Sequence, residues 1–159
     1  MRLASQHGLP PPASIQNGYS LVNRLFDGDL AEASRRCSVP LLAYSPLAMG
    51  LLSEKMAAKP WPGETRLQKF PDFGERYKRP RVLAAAGEYR DIAARHGIPL
   101  AGIALAFAKS RFFTASTIIG ATSVGQLDEL GKFFDLKLSK EIQQEIESVN
   151  ALYPSPCAQ

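Results

Sequence analysis

Residues 41–55 read LLAYSPLAMGLLSEK, and the architecture of the chain turns on how this stretch is built. Leu41–Tyr44 is an apolar run of strand length. Ser45-Pro46 ends it, since proline has no N–H to give to a sheet ladder. Small residues and Gly50 follow, and the pattern returns to apolar at Leu51-Leu52 before Glu54 and Lys55. Such a stretch closes a buried strand and holds the backbone open at its carboxyl end.

Two other segments, 13–16 (ASIQ) and 117–119 (TII), are also short runs that pass into turn chemistry. Helical patterns lie between the three. One spans 29–36 after Asp27 as cap, one spans 81–96 with Val82, Leu83, Ala86, Tyr89 and Ala93 at helical spacing, and one spans 101–109. Gly97 suits the stop of the second and Pro99 the start of the third. Ser123-x-x-Gln126 has the form of a capping box opening a helix to about residue 134. Ser139 precedes a final amphipathic helix with Ile142, Ile146 and Val149 on one stripe.

Strands separated by helices predict parallel βα units. Three strands are too few for a closed (β/α)8 barrel, which takes eight strands and typically about 250 residues. The opening glycine motif of a doubly wound sheet is missing as well. The chain begins on RLASQHG, which reads as the end of a helix, so the pattern resembles the second half of a larger unit.

A chain of 159 residues can bury a real core as one domain. With 45% hydrophobic and 21% charged residues, and no apolar run near the ~18 needed for a bilayer span, no membrane-spanning segment and no membrane partner are expected. The first residues, MRLASQHGLPPP, lack the apolar core of a signal peptide, so a cytoplasmic location is expected. Cys37 and Cys157 form no CxxC pair and are read as free thiols, Cys157 in a mobile Pro-rich tail.

The net charge of +4 has a location. Residues 54–81 carry eight basic and four acidic residues, so the whole excess lies in KPWPGETRLQKFPDFGERYKRPR and its edges. A solvated surface loop and a basic flap over an anionic ligand both fit it. Trp61, Phe70, Phe73 and Tyr77 are interleaved there, yet no nucleic-acid-binding motif accompanies them, and a nucleic-acid partner is not assigned.

The third strand continues as STIIGATSVGQLDEL, residues 116–130. A glycine at the end of a strand, then Thr and Ser at a helix start, aims backbone N–H groups and a helix dipole at one point. Gly120 and Gly125 have P-loop spacing, but Gln126 and Leu127 stand where Lys and Ser/Thr belong, so nucleotide hydrolysis is not supported. An ordinary capped helix explains the same residues. In (β/α)8 barrels, however, phosphate is commonly bound by the loops after the last two strands, and these are the last two junctions here.

Taken in order, SIQNGYSLVNR, LLAYSPLAMGLLSEK and STIIGATSVGQLDEL resemble the C-terminal half of the aldo-keto reductases, in the branch that includes bacterial reductases and the potassium-channel β subunits. The resemblance covers nearly the whole chain. It implies an α/β fold: the C-terminal part of a (β/α)8 TIM barrel over residues 1–153, three parallel strands with flanking helices, and a tail at 154–159. In function it implies NADP(H) bound in extended form and hydride transfer to an aldehyde or ketone. By matching position, Gln16 would hydrogen-bond the nicotinamide carboxamide and Tyr44 would stack on the nicotinamide ring. Ser45, Leu47 and Gly50 would lie along the pyrophosphate, with Lys55 and Arg66 closing over it. Thr122 and Gln126 would bind near the adenosine 2′-phosphate, and Glu129 would face the adenine ribose. The chain departs from the family at Glu54, usually glycine, and at Leu130, usually an adenine-contacting asparagine; both point to weakened or lost cofactor binding.

The family's catalytic Asp, Tyr, Lys and His belong to the first half of the barrel, and no catalytic residue is assigned here. His7 sits in the terminal helix remnant, and His96 is read as an exposed residue facing a helix C-terminus. Tyr19 has no Lys or Asp beside it in sequence to lower its pKa, and no metal ligands are assigned. The chain is thus expected to be a fragment or truncated member that keeps cofactor motifs, lacks the tetrad and is inactive alone. The alternative is a noncatalytic half-barrel serving as an oligomerisation or regulatory module. Its partners would be a complementary N-terminal half or a second copy.

Overall fold

Leu41–Tyr44 forms β2, the central strand of a parallel sheet ordered β1-β2-β3, with β1 at Ile15–Gly18 and β3 at Thr114–Ile118. The computed structural model describes residues 2–56, 65–70, 72 and 74–158. Ile15 pairs with Leu41 and Gly18 with Tyr44; on the other side Leu41 pairs with Thr114 and Leu42 with Ser116, so one extra β3 residue is accommodated there. Strand alternation sends Leu41 and Ala43 into the core, fully buried, while Leu42 and Tyr44 stay half-buried on the opposite face. Gln16, Ser116 and Ile118 share that second face by register and are exposed. Among the described residues β1 and β3 each have β2 as their sole strand partner, so both outer edges are open.

Two strand boundaries differ from the sequence expectation. β1 begins two residues later than 13–16, because pairing starts where Ile15 N–H donates to Pro40 and runs on until Tyr19 N–H donates to Tyr44. Polar Asn17 and bare Gly18 hid this end. β3 begins three residues before 117, since Thr114 and Ser116 belong to the ladder although they break any apolar run.

The helices are α1 (Arg2–Gln6), α2 (Asp29–Cys37), α3 (Arg66–Lys69), α4 (Pro80–His96), α5 (Leu100–Ser110), α6 (Val124–Gly131) and α7 (Lys140–Leu152). Asp27 does not cap α2; it ends a short 3-10 turn, and Gly28 occupies the cap position. The expected helix to 134 ends at Gly131 and tightens into turns that carry Phe133 and Phe134. α4 opens with Pro80 at its first position and closes with Gly97 in the left-handed region, whose N–H and that of Ile98 take up the last carbonyls. α5 is buried from Leu100 to Ala108, as a helix apolar on every face should be.

One core cluster joins β2 to α4, α5 and α7 through Leu41, Ala43, Tyr89, Ile92, Ile103 and Ile146. At the α4–α7 contact Glu145 pairs with Arg95 and, at 2.6 Å, with His96. His96 is therefore not an exposed histidine: its side chain is 19% accessible and held by the neighbouring helix. Those bonds hold the Glu145 carboxyl below its usual range.

A buried polar network ties the segment after β1 to the rest of the chain. Tyr19 stacks on Phe107 and meets Phe113 edge-on, and its hydroxyl donates to Asp27 at 2.5 Å. Burial first, and the Asp27 charge second, push the Tyr19 phenol far above its ordinary pKa, which fixes it as a donor. So an aspartate does stand beside Tyr19, eight residues along, and its effect is to retain the proton. Arg24 bonds Asp27 and Glu147, bringing α7 onto the same cluster.

The C-terminal segment folds back on this loop. Ser155 Oγ accepts from Arg24 N–H, and Cys157 N–H donates to Val22. Cys157, expected in a mobile tail, is buried, and its burial pushes the thiol up to about 12. Cys37 is exposed.

Replacing fully buried Ile146 by Ala should cost about 2–4 kcal/mol. Thermal unfolding would show it as a Tm lower by roughly 5–15 °C. A disulfide reagent at about pH 8 should titrate Cys37 alone in the native chain and both thiols after unfolding. Two fast-reacting native thiols would contradict the docked C-terminal segment.

Candidate functional site

Tyr44 is the last residue of β2, and its ring lies across the end of β1. A Cβ at Gly18 would stand 3.2 Å from Tyr44 Cε2 and equally close to Asn23 Nδ2, so glycine is what lets the ring settle there. Asn23 Nδ2 in turn donates to the Gly18 carbonyl. Gln16, paired with Leu42, and Tyr44, paired with Gly18, emerge on the same open face two residues apart in register. The sequence named both as site residues, and the sheet brings them together. It gave no sign of Gly18 or Asn23, whose parts depend on a ring arriving from another strand.

Beyond Tyr44 the backbone enters a sparsely populated region. Ser45, Ala48 and Met49 have φ of 55°, 49° and 58°, and Gly50 has 95°. Each non-glycine residue in that region costs about 1–3 kcal/mol, which the surroundings must offset. Buried Pro46, Ala48, Leu51 and Leu52 anchor the loop from below. Short turn bonds close it: Ala48 N–H to Ser45, Gly50 N–H to Leu47, and Ser53 Oγ to the Gly50 carbonyl at 2.6 Å. Ser45, Leu47 and Gly50 remain partly accessible, and Lys55 is exposed just beyond.

Glu54 has a structural explanation. Its Oε1 accepts from Leu100 N–H at 2.7 Å, capping α5, whose own cap position is Pro99 and supplies no side-chain bond. Leu130 does too: it is buried with Ala101 and Leu105 of α5, holding α6 against the core.

At the start of α6, Ser123 Oγ accepts from Gln126 N–H, and Gln126 Oε1 accepts from both Thr122 N–H at 2.9 Å and Thr122 Oγ1 at 3.1 Å. The capping box forms, shifted by one residue on its return bond. Thr122 and Gln126 are thus bonded to each other, and Glu129 is exposed along the helix.

The basic segment is described in part. Arg66 opens α3, with its side chain outside the described residues, as are Lys59, Trp61 and Phe73. Tyr77 is buried, which removes it from any surface for stacking bases; Phe70 is exposed. Among the described residues, His96, Glu141 and Glu145 bring possible metal-ligating atoms within 4.8 Å of one another, but Glu145 there already holds Arg95 and His96.

Parallel strands backed by helices, with small-residue loops at the carboxyl ends of β2 and β3, define this as part of an α/β barrel of the (β/α)8 class. The model of the Aldo/keto reductase family matches residues 1–151, and the chain belongs to that family. It is 42% identical to Protein tas of Escherichia coli over 156 residues, covering 98% of this chain and 45% of that protein. It is 28% identical to a probable voltage-gated potassium channel subunit beta of rice, over 92% of this chain and 46% of that one. Among solved structures, a glycerol dehydrogenase of Gluconobacter oxydans shares the fold, with a TM-score of 0.72 at 22% identity over 96% of this chain and 46% of that chain. The chain spans about half the length of the curated relatives it matches.

Glu54→Ala should remove the α5 cap at a cost of about 1 kcal/mol. Urea unfolding would read this as a lower midpoint at unchanged slope.

Proposed function

We propose that this chain is the cofactor-cradle portion of an NADP(H)-dependent aldo-keto reductase. The observation that carries the reading is the left-handed loop at Ser45–Gly50, set against Tyr44 at the carboxyl end of β2 and followed by the segment holding the chain's entire charge excess. Members of this family generally use NADP(H), and a strongly anionic ligand suits that charge. In this reading Gln16 bonds the nicotinamide carboxamide, Tyr44 stacks on its ring, and Ser45, Leu47 and Gly50 line the pyrophosphate. Lys55, exposed just beyond the loop, is assigned with Arg66 to the same phosphates.

The fit is uneven along the cofactor. The nicotinamide side is open and ready. On the adenine side Thr122 and Gln126 must release each other before they can bind a 2′-phosphate, and Leu130 is committed to the core. Cofactor binding weaker than in a complete reductase follows.

When bound, the cofactor supplies a hydride to the carbonyl carbon, and the proton for the carbonyl oxygen must come from elsewhere. Tyr19 does not serve, because Asp27 and burial keep its proton. The acid–base groups belong, in this reading, to the complementary part of the barrel. A second reading, a noncatalytic half-barrel used for assembly, rests on the two open edges and the open sheet face.

Titrating NADPH into the chain, followed by its fluorescence, should show saturation below about 1 mM. No binding at that level favours the assembly reading. With a reactive aldehyde the chain alone should not turn over; a rate near about 1 per second would overturn the assignment of the acid–base groups elsewhere.

A further inference from the structure

The contact between α4 and α7 carries a side-chain cluster that the cofactor assignments leave unused. His96 is the last residue of α4, and Glu141 and Glu145 stand one turn apart on one face of α7. One ligand atom from each residue, an imidazole nitrogen and two carboxylate oxygens, lies within 4.8 Å of the other two. The cluster bridges the two helices where they pack, beside buried Ile142 and Ile146. The side chains of His96 and Glu145 are only 19% and 26% accessible, while Glu141 is exposed next to them.

The two oxygens of Glu145 have separate tasks. Oε2 holds Arg95, and Oε1 meets His96 Nε2 at 2.6 Å. That second contact places one proton between two groups that each ligate divalent metals. Exchanging the proton for a metal ion leaves Arg95 on Oε2, as the outer partner that orients a ligating carboxylate. Glu141 supplies a third ligand from the preceding turn of α7, and water completes a tetrahedral set. Metal–ligand bonds of about 2.0–2.2 Å put the ligand atoms about 3.4 Å apart. This spacing falls between the 2.6 Å of the His96–Glu145 pair and the 4.8 Å limit of the cluster, so side-chain rotation at the two glutamates reaches it.

The surrounding charges favour a cation. The carboxyl end of a helix is partially negative, and His96 stands at that end of α4. Glu88 and Asp91 precede Arg95 at the spacing of one helix face, adding two carboxylates to the two of α7. Bonds from His96 and Arg95 keep the Glu145 carboxyl below its usual range, so it is ionised at neutral pH. An imidazole nitrogen combined with carboxylate oxygens suits zinc and its first-row neighbours, whereas calcium and magnesium take sets made of oxygen alone.

We propose that His96, Glu141 and Glu145 form a binding site for a divalent ion of the zinc class, which staples α4 to α7. The site goes beyond the cofactor reading and stands independently of it, since none of the three residues belongs to the strands or loops assigned to NADP(H).

Calorimetric titration of the full chain with Zn2+ tests it, in a Cys37→Ser background that removes the exposed thiol. Zinc should bind one to one with a Kd of about 1–100 µM, and should raise Tm by roughly 5–10 °C at 100 times that concentration. Mg2+ and Ca2+ should bind at least about a hundredfold more weakly. Glu141→Gln should weaken zinc binding at least about tenfold and leave the metal-free Tm unchanged, because Glu145 keeps both Arg95 and His96. His96→Ala should abolish zinc binding; where the lost ion pair lowers its stability, Glu141→Gln still decides the question. No zinc binding below about 1 mM, magnesium binding as tight as zinc, or an unchanged zinc affinity in either variant overturns the proposal.

Discussion

Everything at the candidate site hangs on β2 being paired on both sides. Four residues, Leu41–Tyr44, receive β1 along one edge and β3 along the other, while their inward side chains Leu41 and Ala43 disappear into the helical layer. A strand so constrained has no freedom of register, because a one-residue slip would turn Leu41 and Ala43 out and Tyr44 in. Tyr44 is thereby delivered to the open face at the sheet's carboxyl end, and the chain must leave the sheet at Ser45. The left-handed loop is the consequence of that exit, stabilised by its buried anchors, with Met49 packed against Gly74.

Much of this was legible in the sequence, and the reasons are specific. LLAY has the length and composition of a doubly paired strand, and β2 has the expected bounds. Gly97, Pro99, Ser123 and Ser139 mark helix ends by local chemistry, which does not wait for tertiary context. The edge strands were harder: β3 is threonine- and serine-bearing and β1 ends in Asn-Gly, so their membership depends on β2 lying next to them. His96 was misjudged, and the partner of Tyr19 went unseen, for a related reason. Their partners, Asp27 and Glu145, are eight and 49 residues away, and no spacing rule pairs them. The left-handed residues at 45, 48 and 49 were invisible, because serine, alanine and methionine do not announce that conformation.

The two departures from the family pattern share a direction. Glu54 gives its carboxylate to the amino end of α5, and Leu130 gives its side chain to the far flank of the same helix. Both strengthen the seating of α5, which is buried from Leu100 to Ala108. Both residues are here committed to the scaffold.

The Arg24 network has a consequence in time as well as in space. Arg24 is buried, and of its two carboxylate partners Asp27 is local while Glu147 lies 123 residues further on. Synthesis proceeds at roughly 5–20 residues per second, so Arg24 spends several seconds or more outside the ribosome before Glu147 is made. Until then the Arg24–Glu147 pair cannot form, and the segment after β1 gains that contact only when α7 has been made.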